Sequence, residues 1–315
     1  MPKSNVIKRD TFHYKWSKSH HPVLSVRPGS RVHFEVNEVS SWQVTEKSRP
    51  EDLLKIDSEK LYPLAGPLYV EGAQPGDALV VKVEDVRPAN WGWTGVIPGL
   101  GLLPEEFSEP HLHVWNLKRG RQYSLFRKGI KVPLAPFCGV MGVAPGEDGF
   151  FDVLPPGKHG GNMDIRHLTA GSRLLLPVYT TGALFSVCDV HAAQGDGEVC
   201  VTAIECPGDV TLSFDLIKNS KITSPCYYTS RRVRSSKVEG PAFVTTGIAP
   251  DLMSATKQAV REMISHLERE KGLSRAEGYM LCSVAADLKI HEVVDAPNWV
   301  VGLSLPAEIV ASSRR

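Results

Sequence analysis

No apolar run in the 315-residue chain is long enough to cross a bilayer, and the opening Met1-Pro-Lys-Ser-Asn5 lacks the hydrophobic core of a secretory signal. Neither sign of charge dominates: 36 basic against 35 acidic residues leave a net charge of +1, mixed along the chain. That balance offers no basic field to nucleic acid or to a membrane surface. The one local excess, Arg231-Arg232-Val233-Arg234 with Lys237, reads as a solvated loop. Cysteine is scarce and unpatterned. The six residues Cys138, Cys188, Cys200, Cys206, Cys226 and Cys282 contain no C-x-x-C pair, and four lie in or beside apolar strand-like runs. This excludes a disulfide framework and a thiolate zinc site, and it predicts buried thiols in a cytoplasmic protein. Internal repeats and low-complexity tracts are also missing.

What the chain does have is β-type patterning with a late change of period. From Val23 to about Val178, short runs such as Arg31–Val36 and Ala78–Val83 follow turn signals such as Pro28-Gly29 and Pro75-Gly76-Asp77. The segment between Ala89 and Pro110 reads as Pro-rich, partly aromatic loops. From Pro250 to Lys271, Leu252, Ala255, Thr256, Ala259, Met263, Ile264 and Leu267 recur at helical spacing, with Gly272 as a stop. A second helix should run to about Asp287, and Pro297–Leu305 should return to strand. The expected class is α+β, predominantly β: a β-sandwich or barrel-like core with two helices near the C-terminus. The chain reads as one catalytic unit over 1–315, with a mainly β lobe over 1–120 and a second lobe over 121–315 carrying the acid/His motif and the helices.

Acid–base and ligand chemistry concentrates between His159 and Glu205, above all in Asp189-Val-His191-Ala-Ala-Gln194-Gly195-Asp196-Gly197-Glu198. The runs on either side, Gly182–Cys188 and Val199–Ile204, read as buried strands joined by a hairpin-length link. In extended chain, residues two apart share a face, so Asp189 with His191, and Asp196 with Glu198, can each converge on a point. A carboxylate beside an imidazole suits a hydrated divalent metal or a His-assisted proton transfer.

The segments Gly160-Gly-Asn162-Met-Asp164, Leu174–Val178, Gly182–Val187 and His191–Cys200 resemble the acetamidase/formamidase family. The likeness continues colinearly through Gly66–Ala73, Trp91–Thr94, Gly99–Leu103, Pro136–Gly139, Thr245–Ile248 and Tyr279–Leu288. The resemblance implies an amidohydrolase acting on a short linear amide, with a metal-dependent site. Asp164, Asp189 and His191 are then the candidate ligands, a mixed O/N set suited to zinc or another divalent ion. Glu198 is the candidate general base, with Asp196 as its orienting partner or a further ligand. Asn162 could face the oxyanion and Gly161 lets backbone approach a small substrate; His167, ahead of an apolar run, reads as structural. His113 and Glu71 are candidate substrate contacts, and Glu38 is a weaker one.

The chain departs from the family pattern at Cys188 and Val201, where glycines are usual, and at Trp42, where a glycine is also usual. Trp42 is therefore expected to narrow the pocket toward the smallest amides. Two other classes are kept open: a thiol amidase using Cys138 or Cys200, and a non-catalytic β-sandwich that binds a small ligand or metal. The expected partners are a small amide and further copies of the chain in a homo-oligomer.

Overall fold

A computed structural model describes residues 5–118, 120–230 and 241–307; the basic cluster at 231–237 lies outside the described residues. Two nine-stranded sheets form the body. The first runs, in spatial order, through Val6–Ile7, Arg31–Val36, Gly208–Ile217, Ala78–Pro88, Arg173–Pro177, Cys226–Tyr228, Ala242–Ala249, Trp299–Pro306 and Asp287–Glu292. The path of the second is Gly160–Asn162, Phe137–Gly142, Phe185–His191, Glu205–Cys206, Trp91–Val96 and His111–Asn116. Leu64–Val70 pairs with Phe185–His191 and carries Phe12–His13 and Leu24–Val26. Neither sheet closes, so the architecture is an α+β sandwich and not a barrel. Both sheets draw strands from either side of residue 120, so the two stretches of chain are interleaved.

The sheets pack face to face through one apolar core. Phe34 and Phe214 from the first sheet meet Phe185 from the second, with ring centroids 6.2 and 5.0 Å from Phe185. Val81, Val83, Leu174, Val140, Val187 and Val190 fill the same layer. Alternation shows in Gly208–Ile217, whose inward positions Val210, Leu212 and Phe214 are buried while their neighbours are partly open. Phe185–His191 is buried along its whole length because it lies in the middle of the second sheet and is covered on both faces.

Helix α1, Leu252–Lys271, starts where the Asp251 side chain accepts from Ser254 N and stops at Gly272, whose φ of 65° is the left-handed cap. Its buried face, Ala259, Met263, Ile264 and Leu267, joins Phe243, Leu303 and Leu305 in a second core outside the first sheet. Helix α2 spans Arg275–Ala285. None of the helices among the described residues is long and apolar enough to cross a membrane.

Three expectations about local structure are corrected. Trp91–Val96 is a strand paired with His111–Asn116, not a loop. Asp287–Glu292 is a strand, so the second helix ends earlier than expected. Val199–Ile204 is not a strand: it is irregular, and only Glu205–Cys206 pairs with the end of Phe185–His191.

Candidate active site

The strands Phe137–Gly142, Phe185–His191 and Glu205–Cys206 lie side by side, in register Phe137↔His191, Cys138↔Val190 and His191↔Glu205. That register brings Asp189, His191 and Glu205 to one place and sets Gly139 opposite Asp189. His191 Nε2 lies 3.1 Å from Asp189 Oδ1 and 3.0 Å from Glu205 Oε2, and its Nδ1 lies 3.6 Å from Asp164 Oδ1. A side chain at position 139 would collide with Asp164 Oδ1 and sit 3.0 Å from Asp189 Oδ2. Only glycine leaves that space.

The His191 ring is oriented from behind. Gln194 Nε2 donates to the Asp164 carbonyl at 2.7 Å, which turns the Gln194 Oε1 toward His191 Nδ1 at 2.9 Å. Nδ1 must then carry the proton and donate, leaving Nε2 to face two carboxylates. His191 Nε2, Asp189 Oδ1, Glu205 Oε2 and Asp164 Oδ1 are all buried without an aligned hydrogen bond, despite their short separations. A cation at that point, either a metal ion or a second proton on the imidazole, would satisfy them.

Around this cluster is a cavity of about 220 Å³. Asn162, Asp164, Asp189, Glu198, Glu205 and Asp295 give it a polar floor, while Val39, Leu53, Ile56, Leu61, Trp93, Ile97, Leu100 and Leu154 form an apolar wall. Drug-sized ligands occupy roughly 300–1,000 Å³, so this cavity suits a smaller molecule. Five residues lining it, Tyr62, Asp164, Asp189, Glu198 and Val201, hold left-handed backbone with φ of 58°, 45°, 60°, 46° and 69°. Such conformations cost about 1–3 kcal/mol each and persist where the surroundings enforce them, commonly at functional sites.

Electrostatics point the same way. Burial, reinforced by neighbouring carboxylates, pushes Asp164 up to about 6 and Glu205 up to about 8. Burial and the charge of Asp164 raise Glu198 well above the usual carboxylate range, and burial with Asp164 does the same to Asp295. Asp189 behaves differently: burial opposes its ionisation, but the charge of the adjacent His191 holds it below its ordinary value. His191 is raised despite burial, by Asp189 and Glu205. Positive charge at the centre is in demand.

The Acetamidase/Formamidase family model matches residues 2–151 and 151–312. The chain belongs to this family. The crystal structure of an acetamidase from Bacillus halodurans superposes with a TM-score of 0.88 at 31% identity, covering 96% of this chain and 98% of that one. A formamidase from Methylophilus methylotrophus is 24% identical over 94% of this chain and 89% of its own length. A γ-lactamase from Delftia acidovorans is 27% identical with a TM-score of 0.67, over 96% and 90% of the two chains. The protein is an amidohydrolase of the formamidase/acetamidase type.

In this amidohydrolase the residues expected from sequence separate into two groups. Asp164, Asp189, Glu198 and Asn162 line the cavity, and His191 stands behind them, 3.1 Å from Asp189 and 3.6 Å from Asp164. Asn162 Nδ2 is already engaged by Asp295 Oδ2 at 2.7 Å. Gly161 stands behind Asn162 in the strand paired with Met141 and does not line the cavity. Asp196 does not join Glu198, because Gly197 and Glu198 both have positive φ and the chain is not extended there. Its carboxylate instead meets His167 and His291, 3.5 and 3.8 Å away.

Trp42 is 41% exposed, donates its indole N–H to Asn37 and packs on Trp91, outside the cavity lining. His113 packs against Trp115 and Phe126, also outside the lining. Glu71 sits in the exposed turn after Leu64–Val70, 3.4 Å from Arg27 Nε. Glu38 lies one layer behind: it is fully buried and accepts from Ser40, Trp42 N and the Trp93 indole, so it fixes a cavity wall without facing the cavity.

Sequence reasoning missed Glu205, Asp295 and Tyr62. Glu205 is a single acid between Ile204 and Cys206, and an acid isolated among buried residues was the available signal. Asp295 enters from the turn between two C-terminal strands, and nothing near it in sequence marks it.

Proposed function

We propose that this amidohydrolase cleaves short aliphatic amides to ammonia and the carboxylate at a divalent-metal centre. The observation that carries it is the donor set around His191 Nε2, where the Gln194-fixed tautomer aims a lone pair at the same point as Asp189 Oδ1 and Glu205 Oε2. Asp189, His191 and Glu205, with Asp164 alongside, are the residues that would hold the ion. Oxygen with one imidazole fits zinc or another divalent metal. When bound, such an ion lowers the pKa of a water and polarises a carbonyl.

The remaining chemistry belongs to the chain's own side chains. Glu198 lines the cavity with a carboxyl whose burial raises its proton affinity, which matches a group that takes a proton from water and returns it to the leaving amine. The water oxygen bonds to the carbonyl carbon, the C–N bond breaks, and nitrogen leaves as ammonia. The apolar wall receives the acyl chain, and the acids face the amide. With Trp42 outside the cavity, acyl length is set by that wall; each added methyl should lower KM roughly fourfold until the cavity is full.

A cysteine mechanism is not favoured, since burial pushes the Cys138 thiol up to about 12, far from the thiolate a nucleophile needs. The test is ammonia release from formamide, acetamide and propionamide by wild type and Glu198→Gln. The variant should retain its metal and lose roughly a hundredfold or more in kcat. A loss of only a few-fold would remove Glu198 from this role.

A further inference from the structure

A second group of ligand-type side chains lies outside the cavity and is absorbed by nothing above. His167 Nε2 is 3.5 Å and His291 Nδ1 is 3.8 Å from the same oxygen, Asp196 Oδ1, and the three donor atoms lie within 4.8 Å of one another. Neither imidazole nitrogen makes a hydrogen bond among the described residues. His291 is 1% exposed, so an unpartnered nitrogen there is costly to leave empty. In a tetrahedral zinc site with bonds near 2.0–2.2 Å, adjacent donors stand about 3.3–3.6 Å apart. The two observed separations are close to that spacing.

The surroundings resemble those of a ligand more than those of a packing residue. The far nitrogen of His291, Nε2, is held 3.1 Å from the hydroxyl of buried Tyr227, the kind of outer contact that orients a metal-bound imidazole. The ring lies against Gly302, where a side chain would collide with Nε2 and approach within 3.1 Å of Cε1. Arg166 approaches the other oxygen of Asp196, Oδ2, at 3.9 Å, which leaves Oδ1 directed at the two histidines. The Asp196 side chain is 34% exposed, and this gives an ion a way in from solvent.

We propose that His167, Asp196 and His291 form a second divalent-metal site, taking zinc or a similar ion of borderline softness. Each ligand sits close in sequence to a residue that forms or supports the first site: His167 is three residues after Asp164, Asp196 two before Glu198, and His291 next to Glu292, whose Oε1 accepts from the N–H of the cavity residue Asp295 at 2.6 Å. Two of these segments already touch, through the Gly197 N–H donating to the His291 carbonyl at 2.9 Å. An ion bound here ties all three together. Its role is to hold Asp164 and Glu198 in the left-handed backbone they adopt.

The experiment uses full-length, untagged protein stripped of metal and titrated with zinc and cobalt, with ions per chain counted after dialysis. Wild type is compared with His167→Ala, whose side chain is 22% exposed and can be truncated without opening the core. The variant should hold one ion fewer per chain. His167→Cys, which returns a ligand, should recover that ion and give its cobalt form a thiolate charge-transfer band that wild type lacks. Equal ion counts in wild type and His167→Ala, or a His167→Cys protein without that band, would overturn the proposal. Failure of the first site would read differently: wild type would hold one ion, and His167→Ala none.

Discussion

Substituting Gly139 by Ala probes the cavity floor with a single methyl group. Gly139 is fully buried opposite Asp189, and its φ is not in the left-handed region, so alanine strains no backbone. The new Cβ would collide with Asp164 Oδ1 and stand 2.9 Å from His191 Cε1 and 3.0 Å from Asp189 Oδ2. Ordinary contact begins near 3.4 Å, so Asp189 and His191 must each retreat by about half an ångström and Asp164 by about twice that. All three are packed from behind, so the overpacking should cost about 1–3 kcal/mol of stability. For a chain of this size that is about 2 to 4 °C in Tm. A misplacement approaching an ångström costs on the order of a hundredfold in turnover. Gly195→Ala is the control: nothing lies within 4 Å of its added methyl, and both properties should stay near wild type. The assay is ammonia release from acetamide alongside thermal unfolding. If Gly139→Ala turns over within about threefold of wild type, the donors around His191 are not the reacting centre.

Two further outcomes follow from buried groups away from that floor. Burial lowers His159 to about 4 against an ordinary value of 6.5, so between these values the unfolded chain binds more protons than the native one. Stability should therefore be lost as pH falls from about 6.5 toward 4; His159→Gln should narrow the difference in urea-unfolding free energy between pH 7 and pH 5 by about 2 kcal/mol, and an unchanged difference would refute the assignment. Glu38→Ala leaves the Trp93 indole N–H and the Ser40 and Trp42 donors without their acceptor, and should destabilise the protein by about 2–4 kcal/mol in urea unfolding while raising KM through a loosened Trp93.

How far the molecule was legible depended on whether local pattern or distant pairing decided each feature. The first C-terminal helix could be read because the Asp251 cap, the apolar period and Gly272 all agree on one element. Asp189 and His191 converge as their spacing predicts, although Asp189 does so from left-handed backbone and not from regular strand. Val199–Ile204 misled because β-branched residues usually mark strands, whereas here Val201 and Thr202 line the cavity from an irregular segment. The same irregularity separated Asp196 from Glu198. Asp295 and Tyr62 were illegible because only the packing of distant segments brings them to Asp164. Trp42 misled through its departure from the family pattern, which turned out to concern the outer layer around Glu38.

The most direct test of the proposed metal centre is the metal content and turnover of untagged protein before and after chelation. The proposed function predicts ions bound in stoichiometric amount, ammonia release abolished when they are removed, and its recovery on adding back zinc or another divalent metal. In His191→Ala, recovery should fail. Full ammonia release by demonstrably metal-free wild type would contradict the account.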